Sequence, residues 1–301
     1  MLKNLLFSIP VSLFCVLAHA QTVTTAAPAP ANTTAKPATA APAAATSATE
    51  VKKEDPKLGF SLALGVAYES QLKKQADGTR SEELGYVIMP GMSYGDYNFS
   101  MLNIYSQDLR DTGTTGSFID PNYNFSRKGW ALNDYFKLSP SAVLVLPVTD
   151  TSKNKNGLLY TAGATLSLSL QTKTLGLDAW SMSYSLGYNR NFTQFSTNSD
   201  GDPLTAYRIR QRFNVGYKFT DSLSLATRFE FDSNYSAVEA NVVKNRFLHY
   251  QTLTYAINDN LEVSIGHTNL GATLTGANYE NNIKFIDDKS SVYGVGIDLS
   301  L

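Results

Sequence analysis

The sequence lacks several features on which whole classes of protein depend. Its single cysteine, Cys15, lies near the N-terminus, so the rest of the chain cannot form a disulfide, a thiolate metal site or a cysteine nucleophile. Beyond the N-terminal segment no run of about eighteen apolar residues occurs, which excludes a membrane-spanning helix. The net charge of −1 provides no basic field that would favour nucleic acid as a partner.

The N-terminus has the pattern of an export signal. Lys3 is followed by an apolar stretch at residues 5–17 and by Ala18-His19-Ala20, which predicts a signal peptide over residues 1–20. The bulky Phe14 before Cys15 argues against lipidation. Residues 21–56 are rich in Ala, Pro and Thr up to a short charged junction. They have little to bury, so we expect a disordered periplasmic linker.

The most informative stretch is residues 207–233, where apolar and charged side chains alternate strictly. Tyr207, Ile209, Phe213 and their neighbours at odd positions are mostly apolar, whereas Arg208 and its neighbours at even positions are mostly polar or charged. Period-two alternation indicates β-strands, and residues 220–222 form a turn between two of them. The apolar face would point inward in a soluble sandwich, but toward lipid in an outer-membrane barrel.

The remaining chain decides between these alternatives. Similar segments recur about twelve times between residues 57 and 301, and many are longer than strands of soluble proteins. The predicted short links are residues 95–96, 139–141, 172–178, 220–222 and 258–260. The links between them are mostly longer and more polar, including residues 111–128. Such alternation predicts an all-β, antiparallel, up-and-down transmembrane β-barrel with both ends on the periplasmic side.

Residues 111–128 and the segments after them are assigned as follows. Residues 111–128 contain Gly113, Gly116 and Asp120-Pro121 and are predicted to form a long polar loop, which could fold inward and block the lumen. Residues 130–138 are predicted as the fourth strand and residues 142–148 as the fifth, with the turn Ser139-Pro140-Ser141 between them.

The last segment carries a resemblance to a known class. Tyr293, Val295, Ile297 and Leu299 alternate with small or polar residues up to Leu301, which resembles the C-terminal strand of bacterial outer-membrane β-barrels, including porins. The final residue departs from that class, where an aromatic residue is usual. The resemblance implies outer-membrane lipid, lipopolysaccharide and the barrel-assembly machinery as partners. Loop carboxylates such as Asp120 and Asp200 could bind divalent cations or bridge to lipopolysaccharide, although scattered loop carboxylates are usually only solvated.

In this orientation the charged face of residues 207–233 lines the lumen. The candidate lumen or solute-binding residues are Arg208, Arg210, Arg212, Lys218, Arg228, Glu230 and Asp232. If Phe219 pairs with Leu223, Arg212 faces Glu230, Arg210 faces Asp232 and Arg228 faces Asn214, so Arg208, Lys218 and Arg228 are less compensated. The cluster is either a track for anionic or polyhydroxylated solutes or a charge ladder that fills and stiffens the lumen.

Twelve strands lie between the number that gives a filled interior and the number that gives a wide aqueous pore. This favours a narrow channel for small hydrophilic solutes, including anionic ones. The alternative is a structural barrel that does not conduct. The strand count resembles barrels that admit acidic oligosaccharides or nucleosides, and also the outer-membrane phospholipase family.

The phospholipase resemblance depends on a short motif. That family carries His-x-Ser-Asn-Gly and a later Asn, and here the nearest match is Phe231-Asp232-Ser233-Asn234-Tyr235 with Asn245. Ser233 and Asn245 match, but the histidine is replaced by Phe231 and the glycine by Tyr235, so Ser233 lacks a general base unless His249 substitutes. Alternatively, a polar band borders the hydrocarbon region, made of Ser233, Asn245, His249, Gln251, His267 and Asn269. The sequence predicts no enzyme, cofactor or metal site.

Overall fold

The structure is a computed structural model that describes residues 57–71, 82–109, 116–238, 242–275, 280–281, 283–287 and 290–301. The predicted signal peptide and linker, residues 1–56, lie outside the described residues. No helix in the described ranges is long and apolar enough to cross a membrane.

Twelve antiparallel strands form the wall of a closed barrel. They are β1 Leu58–Gln71, β2 Glu82–Tyr94, β3 Tyr97–Asp108, β4 Asn122–Arg127, β5 Phe136–Val145, β6 Leu158–Leu170, β7 Trp180–Thr193, β8 Thr205–Lys218, β9 Leu223–Ser236, β10 Val242–Ala256, β11 Leu261–Ala272 and β12 Ser291–Ser300. Each strand pairs with the next, and β1 pairs with β12, where Leu62 and Leu301 exchange backbone hydrogen bonds of 3.0 and 2.8 Å. The predicted fold class and strand count are confirmed.

The apolar face of the wall points outward. Phe60, Ile265 and Ile297 are 76%, 62% and 55% exposed, although large apolar side chains are normally buried in soluble proteins. Inside the barrel, Ala67, Val87, Leu102 and Ile104 form a small buried cluster on β1–β3. This inside-out distribution is the one expected for strands that face lipid.

The short links cluster at one end of the barrel and are built by local hydrogen bonds. Asn258 Oδ1 accepts hydrogen bonds from the backbone N–H groups of Asn260 and Leu261, both at 2.9 Å, and Thr220 Oγ1 accepts from Leu223 N at 3.0 Å. Gly95 adopts a φ of 58°, which favours glycine. The links after β2, β6, β8 and β10 therefore match the short links predicted from the sequence.

The region of β4 and β5 corrects the sequence-based assignment. The predicted loop, residues 111–128, contains β4, and the predicted turn, residues 139–141, lies inside β5. The actual link precedes Phe136, where Asn133 Oδ1 accepts hydrogen bonds from the backbone N–H groups of Tyr135 and Phe136. Pro140 is tolerated in β5 because pairing with the preceding chain is interrupted there, between Arg127 and the short strand Trp130–Ala131.

A β-bulge lies immediately before β4. The short strand Gly116–Phe118 also pairs with β3, so residues 119–121 form an irregularity between two paired segments. Ile119 packs against the inward apolar cluster. Asp120 Oδ1 accepts hydrogen bonds from Val148 N at 2.7 Å and Thr149 N at 3.0 Å, and its other oxygen accepts from Ser152 Oγ. Residues 116–127 therefore belong mainly to the barrel wall.

Candidate functional site in the lumen

The strongest concentration of charge inside the barrel lies on β8 and β9. The register pairs Arg208 with Asn234, Arg210 with Asp232, Arg212 with Glu230, Asn214 with Arg228, and Lys218 with Ser224. This confirms the pairing predicted from the hairpin, because the turn places Phe219 beside Leu223 with a 2.9 Å backbone hydrogen bond. The lumen face of these strands is thus specified by alternation and turn position.

Four of these side chains form a tight network, which we call the lumen ladder: Arg210, Arg212, Glu230 and Asp232. Arg210 donates to both oxygens of Asp232, at 2.7 Å from Nε and 2.9 Å from Nη2, and its Nε lies 3.0 Å from Glu230. Arg212 Nε donates to Glu230 at 2.5 Å. The two carboxylate side chains are only 10–11% exposed. Two-pronged pairing of this kind fixes both partners in orientation.

Two further arginines contact mainly neutral groups. Arg208 Nε donates to Asn234 Oδ1 at 2.7 Å, and its guanidinium is 3.6 Å from Asp232. Arg228 Nε donates to Asn214 Oδ1 at 2.7 Å, and its guanidinium carbon lies 5.3 Å from the centroid of the Tyr250 ring. Their charges are therefore less neutralised than those of the lumen ladder, in agreement with the prediction from the register.

Sequence reasoning missed two lumen residues on β10. Arg246 pairs with Asp232 across β9 and β10, and Tyr250 pairs with Arg228. Both lie on the inward face because residues paired directly across strands share a face. The detectable signal was parity, since Arg246 and Tyr250 occupy even positions of β10.

A cavity of about 550 Å³ occupies the lumen beside this wall. Its charged lining comes from Arg210, Arg212 and Arg228. Much of the remaining lining is hydroxyl or amide, from Asn122, Asn124, Ser141, Thr165, Ser167, Ser169, Ser181, Ser183, Ser185, Asn189 and Asn214. Such groups can exchange hydrogen bonds with a hydrated solute, while the arginines attract negative charge.

The predicted polar band on the outside is a different kind of structure. Its members His249, His267 and Asn269 face outward, as does Ser291, which was not predicted. These four residues are 3%, 8%, 1% and 0% exposed because residues 283–287 lie over them. We call these four residues and their covering segment the outer clasp. Gln251, from the same predicted band, remains exposed.

Contacts within the outer clasp involve both backbone and side chains. Asn269 Nδ2 donates to Lys284 O at 2.6 Å, and Asn269 Oδ1 accepts from Ser290 Oγ at 2.6 Å. The ring of Phe285 packs edge-on against His249, with centroids 5.0 Å apart. The covering segment thus provides hydrogen-bond partners to polar groups that would otherwise face lipid.

The phospholipase-like residues do not assemble into a site. Ser233 and Asn245 are paired directly across β9 and β10, but His249 lies four residues beyond Asn245, about 13 Å along the strand. A different serine meets a histidine: Ser291 Oγ is 3.1 Å from His267 Nε2 and also accepts the Asp287 N–H at 2.9 Å. In the part of the chain that the structure describes, His, Asp and Glu side chains form no group of three that could hold a metal ion.

Comparison with known proteins identifies the fold. The NanC porin is similar over 80% of this chain and 100% of its own, with 14% identity and a TM-score of 0.51. An outer membrane channel from Pseudomonas putida F1 is similar over 86% of this chain and 100% of its own, with 9% identity and a TM-score of 0.52. No family model and no curated protein matches the sequence. The chain therefore has the barrel fold of outer-membrane porins and channels, as predicted.

Proposed function

We propose that this protein is an integral outer-membrane channel for small hydrophilic solutes, including anionic ones. The observation that carries the proposal is the cavity of about 550 Å³ in the lumen, lined by hydroxyls, amides and three arginines. The outward apolar face and the alternation of short and long links support a barrel that crosses a membrane. The porin-like fold supports the same function.

The anion preference is assigned to Arg208 and Arg228. Both donate to a neutral amide through Nε, so their positive charge remains more available to a solute than that of Arg210 or Arg212. The lumen ladder has the complementary task of stiffening this wall. Arg208 and Arg228 thus act as the track for solutes, whereas the lumen ladder acts as the charge ladder that stiffens the lumen.

Export and orientation belong to the same proposal. The signal-like residues 1–20 direct the chain out of the cytoplasm, residues 21–56 form a periplasmic linker, and the short-link end of the barrel faces the periplasm. The barrel-assembly machinery would insert the chain, and lipopolysaccharide would surround the end with long links.

Planar-bilayer recording tests conduction directly. Purified protein should give discrete current steps, with a reversal potential in a salt gradient that indicates anion preference. The double variant Arg208→Ala/Arg228→Ala should reduce that preference while the barrel remains folded. Arg190→Ala is a matched control, because Arg190 lies on the outside of β7 over the Phe192 ring, and it should leave the reversal potential unchanged.

The outcomes separate channel from structural barrel. Folded protein without single-channel current would contradict the channel and favour the structural barrel, in which the lumen ladder closes the interior. Current with a reversal potential that the Arg208 and Arg228 replacements do not alter would contradict the anion track alone.

A further inference from the structure

The charges that line the lumen are segregated by strand. The lumen ladder is neutral, since two arginines match two carboxylates. The other described cations that face inward are Lys137 on β5, Arg208 and Lys218 on β8, Arg228 on β9 and Arg246 on β10. The other described inward carboxylates are Glu69 on β1, Glu83 on β2, Asp108 on β3, Glu262 on β11 and Asp298 on β12. No strand carries members of both sets.

Closure of the barrel places the strands with inward cations across the lumen from strands with inward carboxylates. In a ring of twelve strands, strands six positions apart lie across the lumen. β8 and β9 are therefore opposite β2 and β3, and β5 is opposite β11. Positive and negative walls face each other along the barrel, rather than occupying its two ends.

At the rim with short links, the opposition of positive and negative walls involves only a few residues. Lys137 is the second residue of β5 and Glu262 the second residue of β11, so both lie at this rim on opposite walls. Asp298 is paired directly with Glu262. Both carboxylates therefore lie on the same wall of this rim, with Glu262 directly opposite Lys137 across the lumen. Lys218 lies at the same rim on β8, away from both carboxylates.

Two opposed charged walls create an electric field across a narrow lumen. Low-dielectric walls concentrate such a field. A simple anion is attracted by one wall and repelled by the other, and a simple cation experiences the reverse. A solute with separated positive and negative groups is attracted at both ends when it lies across the lumen.

We propose that the preferred solutes are small zwitterions whose ammonium and carboxylate groups are separated by several carbon atoms. The carboxylate turns toward β5 and β8–β10, and the ammonium toward β11, β12 and β1–β3. This inference rests on the proposed channel function and names its solute class. The described inward cations and carboxylates are equal in number, so an anion preference among simple ions comes from the local positions of Arg208 and Arg228, whereas the transverse field sets the preference for dipolar solutes.

Proteoliposome swelling distinguishes a zwitterion from a neutral solute of similar size. We use δ-aminovaleric acid, which is zwitterionic at neutral pH, and δ-hydroxyvaleramide, which is neutral. The zwitterion should enter about threefold faster through the natural protein. The double variant Lys137→Gln/Glu262→Gln keeps the net charge and should lose at least half of this advantage, while the neutral solute still enters.

A matched control and a second pair of substitutions sharpen the test. Arg190→Gln/Glu82→Gln removes a cation and an anion from the outer face and should leave the advantage intact. If Lys137→Gln/Glu262→Gln does not fold, Lys218→Gln/Asp298→Asn removes the remaining cation and carboxylate at this rim, one from each charged wall, and should act in the same direction. Folding is verified by the heat-dependent gel mobility of the barrel.

Each outcome supports or overturns a specific claim. Equal entry of the two solutes through the natural protein, or an advantage that survives removal of the rim charges, would overturn the zwitterion inference and leave the channel intact. Swelling with neither solute would overturn the proposed channel itself. Loss of the zwitterion advantage in the rim variant, with the neutral solute still entering, supports the transverse field.

Discussion

The lumen ladder and the outer clasp place polar side chains on opposite faces of neighbouring strands, and they satisfy those groups differently. In the lumen ladder every partner comes from the adjacent strand, as in Arg210 and Asp232. In the outer clasp His267 contacts Ser291 of the adjacent strand, but other partners come from a segment that folds back over the wall, as in Asn269 and Lys284. The first arrangement follows from strand register, and the second requires a tertiary contact.

The difference shows how a barrel accommodates polarity on each face. An inward charge can pair across strands and still reach water. An outward polar group at membrane depth has only lipid beside it, so it needs cover from the protein itself. We therefore expect substitutions in the lumen ladder to change ion flow as well as stability, and substitutions in the outer clasp to change stability and protease access.

The largest expected effect comes from Asp232→Asn in the lumen ladder. The substitution keeps the shape of the side chain but leaves Arg210 without its two-pronged charged partner, so we expect a loss of about 3 kcal/mol in the free energy of unfolding. The reversal potential should shift toward stronger anion preference. Urea unfolding and bilayer recording measure the two effects.

A loop carboxylate provides the control for this substitution. Asp200 also contacts a cation, Lys155, at 2.6 Å, but its side chain is 57% exposed. Asp200→Asn should therefore change the unfolding free energy by less than about 1 kcal/mol. Equal effects of the two substitutions would mean that the lumen ladder does not stabilise the wall.

The next effect comes from Asn269→Ala in the outer clasp. The change removes an amide that is 1% exposed and bonds both Lys284 and Ser290, so we expect a loss of about 2 kcal/mol. Trypsin should then cleave faster after Lys284. Gln251→Ala, on the exposed part of the same face, should leave the cleavage rate unchanged; slow cleavage in both variants would contradict the clasp.

Ser291→Ala should have a smaller effect, about 1 kcal/mol, because it removes one hydroxyl that bonds His267 and Asp287. The comparison becomes sharper if phospholipid release is measured at the same time. We expect no release that depends on Ser291. Hydrolysis abolished by Ser291→Ala would show that the outer clasp contains a nucleophile and would revive the hydrolase alternative.

The smallest expected effect is that of Ser233→Ala. Ser233 lies across from Asn245 and away from both histidines along the sheet, so the unfolding free energy should change by less than about 0.5 kcal/mol. Conductance should also stay the same. A large loss of stability would mean that Ser233 belongs to a polar cluster of its own.

Strand pairing could be predicted from the sequence where two neighbouring strands and the turn between them determine the register. Alternation and the turn at Thr220 were enough to pair Arg212 with Glu230 and Arg210 with Asp232. The strand count was also correct, although β4 and β5 were misplaced. The errors compensated, since the real β4 was taken as loop and residues 130–138 were counted as a strand in its place.

The misplaced strands have a physical explanation. β4 alternates Tyr123 and Phe125 with Asn122, Asn124 and Ser126, and a wall that faces water on the inside can use residues that are typical of loops. Pro140 suggested a turn, but a gap in pairing makes it acceptable in β5. The outer clasp had no sequence signal of this kind, because the contact between His249 and Phe285 joins positions that belong to no common periodic pattern.

The bulge before β4 links two connections that are far apart in sequence. Asp120 holds the amides of Val148 and Thr149, so the segment after β5 cannot reach its final form until the strands that position Asp120 are paired. Amide hydrogen exchange at Val148 and Thr149 should consequently slow only after the neighbouring wall has assembled. The exchange rates of these two amides would therefore report when this side of the barrel folds relative to the rest.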